Sequence, residues 1–147
     1  MSREYLLDVN ALIALADSEH EHYPDMMSWF DLGGRKCWGL CPLTEAGFIR
    51  VTIHPVMKAR MRTLNQAMAI LQALKSHSDC RFWEINASWI DLTGPFAARI
   101  RGHQQVMDAL LLGLAIHRDG VLVTFDRNLR FLAGAEFSRN LLVLGSH

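Results

Sequence analysis

Short apolar runs alternate with longer stretches of helical period along this chain. Strands are predicted at 4–8, 37–40, 81–85, 121–125 and 141–144, each short and rich in Leu, Val, Ile or aromatic residues. Helices are predicted at 10–16, 20–32, 42–52, 63–76, from Ser88 to Leu92, around Phe96–Ile100, and at 104–118. The segment 20–32 carries His22, Met26, Met27 and Phe30 on one face and stops at Gly33-Gly34. The helix at 63–76 opens on Thr63-Leu64-Asn65-Gln66, a capping-box pattern, and carries the stripe Leu64, Ala67, Met68, Leu71 and Leu74. Pro42 fits the first residue of its helix, and Asn10 the cap of the first one. Uniformly apolar strands separated by helices predict a three-layer α/β/α fold with a short, mainly parallel central sheet.

Three aspartates break this pattern. Asp8 ends the run Tyr5-Leu6-Leu7, and Asp126 ends the run Val121–Phe125. Asp108 is the only acid or base between Gly102 and His117 other than His103, with Val106, Met107, Ala109, Leu110, Leu111 and Leu112 around it. Carboxylates among core residues are costly unless something compensates them, and metal binding or proton chemistry is the common reason they persist there. Glu45, in the first turn of the helix after the second strand, joins them.

In a parallel sheet all strands end at one edge, and ligand sites form there. Asp8 and Asp126 fall at carboxyl ends of predicted strands. Asp108 opens a helix that runs back antiparallel to the strand it leads into, so it reaches the same edge. Four carboxylates from distant positions are therefore expected to meet. Two unit charges about 4 Å apart repel by about 4 kcal/mol at an effective dielectric of about 20. Such a cluster either takes up protons or binds cations. All-oxygen donors favour magnesium, with manganese as a substitute, over zinc. Taken singly, the acids have plain structural readings. Asp8 is a helix cap, Glu45 a first-turn acid favoured by the helix dipole, and Asp126-Arg127-Asn128 a turn. The set is more specific than its members.

The 147 residues predict one domain, 1–147, large enough for a proper core. With 50% hydrophobic and 20% charged residues, the composition excludes disorder. No apolar run is long enough to span a membrane, and the start Met1-Ser2-Arg3-Glu4 predicts no signal peptide, so a cytoplasmic protein is expected. Cys37, Cys41 and Cys80 form no C-x-x-C pair and read as reduced thiols. Net charge is zero, with 15 basic and 15 acidic residues. Neutralising Asp8, Glu45, Asp108 and Asp126 leaves 15 basic against 11 acidic, or +4. Basic residues cluster as Arg50, His54, Lys58, Arg60 and Arg62, and as Arg99, Arg101 and His103. An acidic centre within basic surroundings suits a polyanionic substrate held over a metal.

At these residues the chain resembles PIN-domain nucleases, and among them the VapC toxins of bacterial toxin–antitoxin pairs. The resemblance is carried by Leu7-Asp8-Val9-Asn10-Ala11-Leu12-Ile13, by Cys41–Arg50 around Thr44-Glu45, by Gly102–Ala109 around Met107-Asp108, and by Thr124-Phe125-Asp126-Arg127-Asn128-Leu129. It implies that Asp8, Glu45, Asp108 and Asp126 hold the metal, with Asp8 and Asp108 as direct ligands. Asn10 and Thr124 would orient them, and Arg127 would touch RNA phosphate. It further implies magnesium-dependent endonucleolytic cleavage of single-stranded or loop RNA, inhibition by a cognate antitoxin, and a homodimer.

Three other readings compete with this one: a phosphohydrolase, a receiver domain and an inactive binding module. A haloacid-dehalogenase-like phosphohydrolase also places an aspartate after its first strand, but needs a second aspartate where this chain has Asn10. A receiver domain needs paired early acids and a late lysine. A catalytically inactive PIN-like RNA-binding module would not need the intact quartet. His20-Glu21-His22 invites a metal reading, but on a helix the two histidines would face apart, so a surface turn or helix start is expected. Trp29, Trp38, Trp83 and Trp89 are expected in the core or at interfaces rather than stacked on bases.

Overall fold

The computed structural model describes residues 3–33, 36–60 and 62–145, with backbone alone at 58–60. Met1, Ser2, Gly34 and the side chains of Lys58 and Arg60 lie outside the described residues. Five strands, β1 (Tyr5–Leu7), β2 (Trp38–Leu40), β3 (Cys80–Phe82), β4 (Val121–Thr124) and β5 (Leu141–Val143), form one sheet in the order β3-β2-β1-β4-β5. Every pairing is parallel. The helices are α1 (Val9–Ala16), α2 (Tyr23–Asp31), α3 (Pro42–Thr52), α4 (Leu64–Lys75), α5 (Trp89–Thr93), α6 (Val106–His117) and α7 (Leu129–Ala133). The predicted α/β/α architecture is observed. Among the described residues, no helix is long and apolar enough to cross a membrane.

Strand periodicity divides the core in two, because successive side chains point to opposite faces. Leu6 and Leu122 pack with Ala109 and Leu112 of α6, Leu129 and Leu132 of α7, and Trp83. Their neighbours Leu7 and Val123 pack on the other face with Leu12, Met26, Phe48 and Leu71, from α1, α2, α3 and α4. Both faces of the sheet are thus covered, which keeps β1 and β4 central and dry.

Several expectations need correction. Asp8, not Asn10, caps α1: it has extended backbone (φ −65°, ψ 163°) and its side chain accepts from Val9 N. Asn10 already lies within the helix. Helix α2 starts at Tyr23, later than position 20, because residues 18–22 form a turn. β3 is Cys80–Phe82, not 81–85, and as an edge strand it is largely exposed. The capping box on α4 is present, with Gln66 N to Thr63 Oγ1 at 3.1 Å and Thr63 N to Gln66 Oε1 at 2.9 Å. Its buried stripe is narrower than predicted: Ala67 and Leu71 are buried, while Leu64 and Met68 are exposed. The segment 94–99 is a kinked 3₁₀ turn rather than an α-helix. A 3₁₀ turn, His103–Gln105, precedes α6, which therefore starts two residues later than predicted. Helix α7 was not predicted, because five residues after a turn signal are too few to show a helical period. Of the four tryptophans, Trp38 and Trp83 are in the core, whereas Trp89 is partly exposed and donates to Val106 O at 3.1 Å.

Candidate functional site

Asp8 ends β1 and caps α1, so its position is fixed twice over. Its backbone N donates to Val123 O at 2.9 Å across the β1–β4 ladder, and its Oδ1 accepts from Val9 N at 2.7 Å. Its Oδ2 accepts from Thr124 Oγ1 at 2.8 Å. Thr124, fully buried at the end of β4, is the hub of the edge. Its Oγ1 also accepts from Asn10 Nδ2 at 3.1 Å and from Asp126 N at 3.1 Å. Asn10 Oδ1 in turn accepts from Phe125 N at 3.1 Å. The turn after β4 is therefore tied to the start of α1, and Asp126 is held beside Asp8. Asp126 Oδ1 accepts from Asn128 N at 2.9 Å, closing that turn.

Asp8, Asp108 and Asp126 line one open cavity of about 340 Å³ with Asn10, His20 and Val51. They act on each other electrostatically. Burial pushes the Asp8 carboxyl above its ordinary range; the hydrogen bonds from Thr124 and Val9 oppose this, and the charge of Asp126 adds to it. Asp108 is pushed up to about 6, first by burial, then by Asp8 and Asp126. Two carboxyls pushed toward the protonated form, with the Asp126 charge beside them, are a setting that a bound cation would relieve.

Glu45 stands apart. It lies in the first turn of α3, at the end of β2, and its Oε2 meets Lys75 Nζ at 2.7 Å. It is not among the charges acting on Asp8 and Asp108, nor does it line their cavity. The structure therefore brings three of the four predicted acids together and leaves the fourth at the same sheet edge, engaged by a lysine.

A second groove, of about 720 Å³, opens on the other side of Asp108 and Asp126. Arg99, Arg101, His103, Asn128 and Phe131 are among its walls. An acidic cleft thus continues into a basic one.

The sequence matches the PIN domain family over residues 5–135. The chain belongs to the PIN-domain family. Among its relatives, ribonuclease VapC38 of Mycobacterium tuberculosis is 41% identical over 128 residues, covering 87% of this chain and 89% of that protein. Ribonuclease VapC39 of the same species is 34% identical over 130 residues, covering 88% and 94%. The fold resembles VapBC2 from Rickettsia felis, solved bound to a promoter DNA fragment, with a TM-score of 0.66 and 14% identity over 95% of this chain and 98% of that one. It also resembles Mycobacterium tuberculosis VapC20, described as a sarcin–ricin loop cleaving toxin, with a TM-score of 0.63 and 10% identity over 90% and 95%. At such identities these two structures speak for the fold alone.

PIN domains in general are metal-dependent nucleases, and the donor chemistry of this PIN domain fits a hard cation. Among the described residues, no group of three or more acidic, histidine or cysteine side chains is placed so that it could hold a metal ion. Magnesium does not need one, because it is held through one or two carboxylates and keeps several waters. Asp8 and Asp108, both with raised proton affinity, are the side chains a cation would relieve most.

Two further placements were not legible in the sequence. His20 lies in a turn, as expected, yet that turn brings it to the acidic cavity. Its Nδ1 accepts from His22 N at 3.0 Å, and the His22 ring stacks on Phe125 at 4.4 Å. No spacing signals this, since it depends on α1 turning the chain back over β4. Arg127 is exposed and does not line the basic groove; Asn128 does. Phe131 was missed along with α7.

Proposed function

We propose that this PIN domain, a single domain over 1–147, is a VapC-type endoribonuclease that hydrolyses RNA phosphodiesters with magnesium, manganese serving as a substitute. The observation that carries this is the convergence of Asp8, Asp108 and Asp126 on one cavity, where burial and the charges of Asp8 and Asp126 raise Asp108, at the mouth of a basic groove. Asp8, Asp108 and Asp126 hold the metal, and Glu45 completes the acidic set from the β2 side. When bound, the ion supplies Lewis acidity toward the phosphate and an activated water. The chain's own residues do the rest. Thr124 and Val9 N fix both oxygens of Asp8, so that its orientation needs no reorganisation. Asn10 holds Thr124 and the backbone at Phe125, and so sets where Asp126 stands. The flanking Arg101 and His103 draw the polyanion in.

The same reading makes the partner a cognate antitoxin protein that covers the groove, the assembly a homodimer and the compartment the cytoplasm. The test is incubation with structured RNA. Cleavage that needs magnesium, is abolished by chelator, and is lost in Asp8→Asn and Asp108→Asn supports it. Turnover of a small phosphomonoester without RNA cleavage supports a phosphohydrolase instead. Metal-independent RNA binding without cleavage supports an inactive binding module.

A further inference from the structure

We propose that the basic groove contains a nucleotide subsite in which Phe131 stacks an unpaired base and Arg101 holds a phosphate, next to the metal-binding acids. This rests on the nuclease reading and specifies how its substrate is gripped.

Phe131 is 75% exposed on α7, although an exposed phenylalanine gains nothing from folding. It is presented rigidly nonetheless. Leu129 and Leu132 on either side of it are buried, so the helix cannot roll. Arg99 anchors the end of that helix: its guanidinium donates to Leu132 O and Ala133 O, both at 3.0 Å, and pairs with Glu136 at 2.9 Å. Gly134, with φ of +61°, lets the chain turn close to that guanidinium. Arg99 is thus a positioning residue for α7.

Arg101 and His103 line the same groove. Arg101 is exposed, and its backbone N donates to the Gln105 side chain, which steadies the loop. The groove is thus lined by a fixed aromatic ring, by arginine and by the acids Asp108 and Asp126. An aromatic platform within a cationic groove is how proteins grip single-stranded nucleic acid, since every base offers a π-face. A paired base has both faces covered, so the subsite selects unpaired nucleotides. Asn128 and Gln104 also line the groove, and their amides can read a base edge.

The test is binding and cleavage of a short single-stranded oligoribonucleotide by the full chain. Binding is followed by fluorescence anisotropy in chelator, so that it is independent of cleavage. Phe131→Ala should weaken binding about tenfold and raise KM with kcat little changed, while Phe131→Trp should bind as wild type. Phe131→Leu should behave as alanine, and Arg101→Ala should weaken binding and lower its salt dependence. Because Phe131 is exposed, these variants keep the fold. Phe131→Leu or Phe131→Ala binding as tightly as wild type would overturn the subsite, even if a protein partner's binding were lost. If Phe131→Ala weakens binding while wild type never cleaves, the subsite stands and the nuclease reading falls.

Discussion

The carboxyl edge of the sheet presents the same functional group in two settings. At β1 and β4, Asp8 and Asp126 stand with Asp108; burial raises Asp8 and Asp108, the Asp126 charge adds to both, and Asp8 adds to Asp108. At β2, Glu45 has a lysine at 2.7 Å, and that Lys75 also lies over the Phe82 ring at 5.3 Å. One corner is internally compensated; the other is compensated only from outside. A ligand belongs at the second of these corners. A carboxylate alone does not mark the site, since Glu45 stands at the same edge with a lysine for a partner. What marks it is negative charge that the fold has buried and hydrogen-bonded but not neutralised.

The largest effect should follow from breaking the uncompensated corner. Asp8→Asn and Asp108→Asn should each lower RNA cleavage by on the order of 10²–10³, read in single-turnover assays. Glu45→Gln should lower it by only about tenfold, as expected of a group whose charge already has a partner. Equal losses for all three would mean that the two corners do not differ in function.

Thr124→Val should come next. It leaves Asp126 N, Asn10 Nδ2 and Asp8 Oδ2 without their common partner, and should destabilise the protein by about 1–3 kcal/mol in denaturant melts.

A smaller effect concerns pH. The folded-state pKa of Asp108, about 6, lies above its unfolded value of 3.8, so the folded state binds the proton more tightly. That contribution is fully present below about 3.8 and is lost as pH rises through 6. In chelator, Asp108→Asn should therefore match wild type in stability near pH 4 and exceed it above pH 6. The gain should be on the order of 1 kcal/mol, allowing for water's screening of a half-buried carboxyl.

The smallest effect tests the compensated corner. Lys75→Met should change stability by less than about 1 kcal/mol, because the lysine is partly exposed. It should tighten manganese binding by calorimetry, since it frees Glu45 to serve the neighbouring site. Unchanged affinity would mean that Glu45 belongs to its own corner only.

The central acids were legible because strand ends in a parallel sheet share an edge by topology, and because Asp8, Asp108 and Asp126 interrupt apolar runs. Thr124 and Asn10 were legible as orienting groups through the resemblance. Glu45's lysine was not. Lys75 ends α4, thirty positions later, and only the packing of α3 against α4 brings it there. His20 was hidden for the same reason: its neighbours come from the fold, not from its spacing. Helix α7 and Phe131 were hidden by length, since five residues give one turn and no repeat. The cap on α1 was misassigned because Asp8 caps the helix and lines the cavity at once, whereas the sequence offered these as alternatives.

The most direct test of a cation-dependent acidic corner is the melting temperature of the full chain against magnesium concentration, measured beside Asp8→Asn and Asp108→Asn. Wild type should melt lower than Asp108→Asn in chelator at neutral pH and rise saturably as magnesium is added, while both variants lose most of that response. A wild-type melting temperature indifferent to magnesium and manganese, or variants that respond as fully as wild type, would contradict it.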